Sequence, residues 1–390
     1  MPTKRSRRIV VAGFAIGFPL GGQMWMMLHF AAGLARLGHE VLFLEDTSNW
    51  AYPFDPMLGY ATSDSSGGRA ALDAMFRRYG LAGRWAYVSE IEGTVYGMDR
   101  KDLDRYLASA DFFLNISGVL PLREEYLQAP VKAVIDTDPV FTQVKVANDD
   151  WTRNYFQTHD VCFTYGVNVP RGETELPLSG IDWKPLLPPV VLDFWPRGEG
   201  VGSGFSTIGT WEARDRDVEV AGRKLSWRKN VKYEAMINLP SRVPDAPLEL
   251  AMSGMKDAAP RYEAAGWIVR DGLVVSRDVE TYRDYIRGSM AEFTIAKDQN
   301  VVLKSGWFSD RTATYLAAGR PAVVEDTGFG AYLPIGEGLF PFTDADGAVA
   351  GIEAVRSDPV KAGRAARAIA EAHFDSDKVL GGLLRECDLA

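Results

Sequence analysis

The sequence predicts an α/β protein of two doubly wound, Rossmann-like domains that face a central cleft. With 390 residues, of which 46% are apolar, the chain is long enough for two cores, because one core rarely grows beyond about 250–300 residues. Short apolar runs alternate with helical patterns in both halves of the chain. The runs are continuously apolar rather than alternating, which predicts parallel sheets with helices on both faces.

The first half contains five apolar or β-branched runs that we interpret as strands, at 9–14, 41–45, 112–116, 131–135 and 161–165. Apolar residues at helical spacing predict a helix over 23–37, and Gly38 predicts its end. These elements define a predicted N-terminal domain of residues 1–185.

Residues 170–204 contain six prolines and little periodicity, which predicts the connection between the domains, with the linker itself at 186–205. The second half, 206–374, repeats the plan. Its strand-like runs lie at 206–210, 248–252, 267–269, 293–296 and 322–325, and its predicted helices include 279–286, 312–318 and 358–373. Ser357 and Ser376 are candidate helix caps, and the last helix, in 375–390, is a candidate to cross back onto the N-terminal domain.

Composition excludes several classes of protein. The net charge of −9 argues against nucleic acid as a partner, because nucleic-acid binding relies on clustered cations. Cys162 and Cys387 are the only cysteines, so we expect neither a disulfide framework nor a thiolate metal site, and a cytoplasmic location fits. The four histidines show no metal-ligand spacing, and we therefore expect no bound metal.

The N-terminus imitates a secretory signal, because basic residues precede an apolar run at 9–20. Gly13, Gly17 and Pro19 interrupt this run, which leads directly into the first predicted helix, so we favour a first strand. No uninterrupted apolar stretch reaches the roughly 20 residues that a membrane span needs.

Residues that directly follow strands are the first candidates for a site, because ligands bind at the carboxyl ends of parallel strands. Gly21 and Gly22 lie between the first strand and a helix whose free N–H groups suit an anion. A plain turn explains these glycines equally well. The dinucleotide fingerprint G-x-G-x-x-G is absent, which argues against an NAD-dependent dehydrogenase.

A stronger anion site is predicted at the start of a helix late in the chain. Ser309 is a candidate N-cap, so the amide groups of Asp310, Arg311 and Thr312 would point into the cleft. Lys297 and the guanidinium of Arg311 add positive charge, and together these groups form a candidate diphosphate cradle. The alternative is a structural helix whose charges are solvated.

Weaker candidates complete the set. Asp326, Thr327 and Gly328 follow the next strand, where an acidic side chain could accept hydrogen bonds from sugar hydroxyls. Thr210 ends the first strand of the second half, and Lys229 is a candidate second cation. An acidic turn and a solvated surface charge are the respective alternatives.

Two spans resemble known motifs. Residues 21–41, GGQMWMMLHFAAGLARLGHEV, resemble the opening Gly-Gly-helix-Gly-His-x-Val signature of GT-B glycosyltransferases. Residues 305–330, SGWFSDRTATYLAAGRPAVVEDTGFG, resemble the donor-binding segment of that family, including its Ala-Gly-x-Pro turn. The chain departs from the family where many retaining members carry two Glu, since Gly306 and Thr314 stand there. It also lacks the His that follows the first strand in many inverting members, so the stereochemical outcome stays open.

The resemblance implies a glycosyltransferase that moves a sugar from a nucleoside-diphosphate sugar, most often a UDP-sugar, without a bound metal or other cofactor. The C-terminal domain would bind this donor, and the N-terminal domain would bind an acceptor that the sequence does not identify. A nucleotide-sugar 2-epimerase shares the architecture. A non-catalytic two-domain protein that binds a small ligand is the alternative of a different class.

Transfer with inversion also needs a general base near the acceptor hydroxyl. Asp136 and Asp138 end a predicted strand of the N-terminal domain and so face the cleft; we rank Asp138 first and keep Asp46, at the end of another strand, as a further candidate. The Asp-x-Asp spacing imitates a metal-binding motif of another glycosyltransferase fold. The same spacing recurs elsewhere in this acidic chain, so we assign it no metal.

An aromatic loop follows the second predicted strand and contains Trp50, Tyr52, Phe54 and Met57. Such a loop suits stacking on a flat acceptor or on a sugar ring. A surface loop that packs its own aromatic side chains explains it equally well.

Overall fold

The computed structural model describes residues 5–48, 52–212 and 216–390, so Trp50 lies outside the described residues. The N-terminal domain consists of β1 (Arg8–Ala12), α1 (Gly21–Arg36), β2 (Glu40–Asp46), β3 (Phe54–Asp55), β4 (Tyr60–Ala61), α2 (Ser66–Arg78), β5 (Trp85–Ser89), β6 (Thr94–Gly97), α3 (Arg100–Ala108), β7 (Phe112–Ile116), β8 (Val131–Asp136), α4 (Phe141–Asn148), α5 (Asp150–Gln157), β9 (Val161–Thr164) and β10 (Trp183–Pro185).

The second half begins with β11 (Phe205–Thr210), β12 (Val218–Val220), β13 (Arg223–Leu225), α6 (Asn230–Ala235), α7 (Leu239–Arg242), β14 (Leu248–Ser253), α8 (Ala259–Ala264), β15 (Ile268–Asp271) and α9 (Gly272–Ser276). It continues with α10 (Val279–Gly288), β16 (Ala291–Thr294), α11 (Asp298–Val302), α12 (Asp310–Ala317), β17 (Ala322–Glu325), β18 (Leu339–Phe342), α13 (Ala345–Ser357), α14 (Pro359–His373) and α15 (Ser376–Glu386).

Each half is built around one mainly parallel sheet. The N-terminal sheet has the order β10-β9-β8-β7-β1-β2-β5-β6, and its strands are parallel except for the edge pair β5 and β6. The C-terminal sheet has the order β15-β14-β11-β16-β17-β18 and is parallel throughout. The prediction of two doubly wound α/β domains is confirmed.

The predicted strands and helices are present, and their bounds differ by at most two residues. Strands β5, β6, β10 and β18 of the two main sheets were not predicted, and neither were the short antiparallel pairs β3–β4 and β12–β13. Strand β10 lies in the proline-rich connection and pairs along a single edge, with β9, so it needs no continuous apolar run. The predicted caps Ser357 and Ser376 are wrong, because the adjacent Asp358 and Asp375 carboxylates accept the first-turn amides instead.

The two halves share one continuous core. Trp25 of α1 lies 4.9 Å from Trp195 of the linker, measured between ring centroids, and its Nε1 donates to the carbonyl of Val279 in the C-terminal half. No helix among the described residues is both long and apolar enough to cross a membrane.

The chain crosses between the halves twice. Helix α15 packs on α1, where any side chain at Gly33 would clash with Leu380. The two crossings lie side by side: the Val190 amide donates to the Phe374 carbonyl at 2.7 Å, and the Ser376 amide donates to the Val190 carbonyl at 2.9 Å.

Candidate functional site

A cavity of about 230 Å³ lies between the two domains, at the carboxyl ends of β11, β14 and β15. The C-terminal half contributes Ile208, Gly209, Thr210, Ser253, Gly272, Leu273, Ser276, Tyr282, Ser309, Asp310 and Arg311. The N-terminal half contributes Phe18, Leu20, Gly22 and Gln23. Open parallel sheets bind their ligands at this position.

Two helix N-termini meet at this cavity, one from each half. Gly22 and Gln23 belong to the first turn of α1, and Asp310 and Arg311 belong to the first turn of α12. Neither helix has a side-chain cap, since Ser309 has extended N-cap geometry but its hydroxyl makes no capping hydrogen bond. Uncapped first-turn amides and two helix dipoles favour an anion between them.

The paired glycines permit the close approach of α1 to the C-terminal half. A Cβ atom at Gly21 would clash with the ring of Tyr282, and one at Gly22 would lie 3.2 Å from the Tyr282 hydroxyl oxygen. Both glycines therefore allow the N-terminus of α1 to pack on α10 and to lie at the cavity.

Glu45, which the sequence did not single out, shapes the loop before α1. Its carboxylate accepts the backbone amides of Ala15, Ile16 and Gly17 at 2.6–2.7 Å, and the side chain is fully buried. Burial raises the pKa of Glu45 to about 7, although the three amides oppose that shift. The signal in the sequence is one acidic residue at the end of an apolar strand.

Two lysines supply positive charge behind the first turn of α12. Among the described residues, Lys229 has no carboxylate partner within ion-pair distance. Burial lowers the pKa of Lys229 to about 7, and repulsion from Arg311 and Lys297 adds to the shift. The Lys297 Nζ atom lies 3.1 Å from the centroid of the Trp227 ring. Lys229 and Lys297 are therefore partly desolvated cations.

Arg311 supports the cavity wall. Its Nε donates to Glu292 at 2.6 Å, and its two terminal nitrogens donate to the Ile208 carbonyl at 2.6 Å and to Thr294 at 2.8 Å. Thr312 is fully buried, and its hydroxyl has no partner among the described residues. The guanidinium thus ties α12 to two strand ends and leaves one N–H on each terminal nitrogen, so its diphosphate role stays a prediction.

Asp326, Thr327 and Gly328 lie at a second contact between the halves and do not line the cavity. Asp326 pairs with Lys304 at 2.9 Å, and the Thr327 hydroxyl donates to the Trp307 carbonyl. Gly328, at φ +90°, leaves space for Asn168, whose Nδ2 would lie 2.7 Å from a Cβ there. Strand β17 therefore ends at a second contact between the halves, and the sugar-binding role of these three residues stays a prediction.

The three candidate bases differ in their surroundings. Asp46 is buried and accepts hydrogen bonds from Arg123 and Tyr126, both at 2.6 Å. Asp136 is buried beneath Gln143 and Thr164, and burial raises its pKa. Both carboxylates are therefore engaged inside the N-terminal half.

Asp138 is the candidate base that reaches the other half of the molecule. Its carboxylate pairs with Lys297 at 3.0 Å and with Arg216 at 2.9 Å. Burial acts to raise the pKa of Asp138, but the two cations outweigh it and hold that pKa below its usual value.

Asp310 is a carboxylate that lines the cavity. It has no hydrogen bond or ion pair to another side chain of the described residues, and burial raises its pKa. Within the same residues, no group of three or more His, Cys, Asp or Glu side chains is arranged to hold a metal ion.

Comparison with known proteins identifies the fold. No family model matches the sequence, and no curated protein matches it. Among solved structures, an α-glucosyltransferase in complex with UDP-glucose and DNA containing an abasic site matches with a TM-score of 0.60 and 11% identity, over 98% of this chain and 100% of that one. HepE from Anabaena, in complex with UDP and glucose, matches with a TM-score of 0.56 and 10% identity, over 97% and 99% of the two chains.

A third similar structure is a UDP-N-acetylglucosamine 2-epimerase from Listeria monocytogenes, described as putative, with a TM-score of 0.52 and 11% identity, over 97% of this chain and 95% of that one. At such identities the similarity concerns the fold. The chain has the GT-B fold, two Rossmann-like domains around a cleft, as the sequence predicts.

Proposed function

We propose that this GT-B-fold chain is a glycosyltransferase that moves a sugar from a nucleoside-diphosphate sugar to an acceptor hydroxyl in the interdomain cavity. The observation that carries the proposal is the convergence of two uncapped helix N-termini on one cavity, with Lys229 and Lys297 behind one of them. A UDP-sugar is the favoured donor, because UDP is the nucleotide in the similar structures.

The donor diphosphate would lie between the first turns of α1 and α12. Backbone amides at Gly22 and Ser309, the Thr210 hydroxyl, and the ammonium groups of Lys229 and Lys297 would neutralise it. These groups stabilise the charge that develops on the departing diphosphate, so the proposed reaction uses no metal and no other cofactor.

Asp138 is the proposed base for an inverting transfer. The diphosphate competes with Asp138 for Lys297, so donor binding would remove one of the two counter-ions of the carboxylate, leave Arg216, and raise the pKa of Asp138. The carboxylate then accepts the proton of the acceptor hydroxyl as that oxygen attacks the anomeric carbon and the bond to the diphosphate breaks. Donor binding would thus precede activation of the acceptor.

Cys162 and Cys387 are both free and buried, which fits a reducing compartment, and we propose a cytoplasmic location.

The first test is thermal unfolding with UDP, GDP, TDP, CMP and NAD, each with and without Mg²⁺. A ligand at about 100 times its dissociation constant stabilises the native state by about 2.7 kcal/mol, which shifts the melting midpoint by a few degrees. We expect a selective, metal-independent shift with UDP. A flat response to all five nucleotides would contradict the proposal.

A turnover assay then separates the three functions. UDP release from UDP-glucose that requires an added alcohol supports glycosyl transfer. Epimerisation of UDP-N-acetylglucosamine without acceptor supports the epimerase, which is kept because one similar structure is described as such. A UDP-induced shift without turnover of either sugar nucleotide supports a ligand-binding protein.

A further inference from the structure

The β3–β4 hairpin exposes four large apolar side chains within nine residues. Tyr52 is 56% exposed, Met57 78%, Leu58 53% and Tyr60 59%, and we call these four residues the apolar hairpin surface. Single exposed apolar residues are ordinary in soluble proteins, whereas a contiguous group marks a binding surface.

Hydrogen bonds hold these side chains outward in a defined turn. The Asp55 carboxylate accepts the backbone amides of Met57 at 2.8 Å and Leu58 at 3.2 Å. The Gly59 amide donates to the Asp55 carbonyl at 2.8 Å, and Gly59 has the positive φ of +76° that the turn requires. The exposure of Met57 and Leu58 is therefore built into the backbone of the hairpin.

The hairpin lies at the edge of the interdomain cavity. The Phe54 amide donates to the Gly17 carbonyl at 2.9 Å, and the Phe54 ring lies 5.1 Å from that of Phe18. On the opposite side, a Cβ at Gly59 would lie 3.7 Å from Leu273. Since Phe18 and Leu273 both line the cavity, the apolar hairpin surface continues its walls outward.

The charge of residues 52–68 favours an uncharged binding partner over an anionic one. No Lys or Arg occurs between Tyr52 and Gly68, and Asp55 and Asp64 carry negative charge. The next cation, Arg69, stacks on the Tyr96 ring at 3.6 Å. A nucleic acid or an anionic bilayer would find no cation in the hairpin, whereas aromatic rings and a methionine bind flat apolar molecules well.

We propose that the apolar hairpin surface binds the apolar part of an uncharged aromatic acceptor and directs its hydroxyl group into the cavity. This inference rests on the proposed glycosyl transfer and adds the chemical class of the acceptor.

The test measures binding of 2-naphthol, an uncharged aromatic alcohol, by its fluorescence in the presence of saturating UDP. The test variant is Met57→Gln/Leu58→Gln/Tyr60→Gln. The matched control is Ile335→Gln/Val360→Gln, which changes residues that are 49% and 53% exposed elsewhere on the chain. We expect the dissociation constant of 2-naphthol to rise by about tenfold or more in the test variant, a change of about 1.4 kcal/mol, and to stay unchanged in the control.

The UDP-induced thermal shift of each variant separates the two proposals. A normal UDP shift in a hairpin variant with unchanged naphthol binding overturns the acceptor inference and leaves the transferase proposal intact. Loss of the UDP shift in the parent protein overturns the transferase proposal itself. Absence of saturable naphthol binding to the parent protein also overturns the inference. The inference is also overturned if the apolar hairpin surface binds phosphatidylcholine vesicles, a DNA duplex or a second copy of the chain instead of naphthol.

Discussion

The lowered pKa of Lys229 predicts an unusual pH dependence of donor binding. This pKa is about 7 instead of the ordinary 10.5, because Lys229 is desolvated and lies close to Arg311 and Lys297. A bound diphosphate supplies the missing counter-charge and raises the pKa of Lys229 again, so binding takes up a proton at alkaline pH. Affinity for the diphosphate is therefore highest below the pKa of free Lys229 and falls as pH rises through it.

The size of this effect follows from the two pKa values. If the bound form titrates above about pH 9, the dissociation constant rises tenfold per pH unit between about pH 7 and 9, or about 2.7 kcal/mol in total. Titration calorimetry with UDP at constant ionic strength measures it. The last ionisation of the nucleotide phosphate lies at about pH 6 and does not interfere in this range.

Two variants isolate the lysine. Lys229→Arg keeps a charge at every pH and Lys229→Met carries none, so both should lose the part of the pH dependence that Lys229 contributes, and Lys229→Met should bind UDP more weakly. Glu45 titrates in the same range, and the methionine variant removes the Lys229 contribution while leaving that of Glu45. An equal pH slope in the parent protein and in Lys229→Met would refute the reasoning.

Three further changes test other parts of the site. Arg311→Ala leaves Glu292 buried without its counter-charge and should lower the free energy of unfolding in urea by about 3–5 kcal/mol. The double change Arg311→Met/Glu292→Leu should recover most of that loss. An Arg311→Ala variant as stable as the parent protein would contradict the supporting role of Arg311. Asp138→Asn frees Lys297, so UDP should bind several-fold more tightly while sugar transfer falls by about 100-fold or more. Full turnover in this variant would show that Asp138 is not the base. Glu45→Ala leaves three buried amides without an acceptor and should lower the free energy of unfolding by about 3 kcal/mol or more, and a value within error of the parent protein argues against that anchoring.

The fold could be predicted because its signals are local. Buried parallel strands such as β7 and β17 are largely apolar runs, and their bounds agree with the sequence to the residue. The edge strands β6 and β10 are half-exposed and short, so their composition resembles that of loops. Strand β5 was also missed, although all five of its residues are buried and it lies between β2 and β6, so the difficulty is not confined to edge strands.

The site was harder to predict, because its chemistry depends on distant partners. The positive charge of Arg311 at the start of α12 is visible in the sequence. Its buried partner, Glu292, belongs to β16, and the sequence alone does not show that the two residues meet. Asp136 and Asp138 are two residues apart and look equivalent in sequence. The first is enclosed by Gln143 and Thr164, and the second meets Lys297 across the cleft.

The adjacent crossings at Val190 and Ser376 limit how the two halves can move. Two chain segments joined by hydrogen bonds behave as one pivot, so sliding and twisting of one half against the other would break them, whereas rotation about the pivot would not. Removing α15 would delete half of this pivot and uncover the face of α1 at Gly33. The last eleven-residue helix thus adds a second link between the two halves directly beside the first.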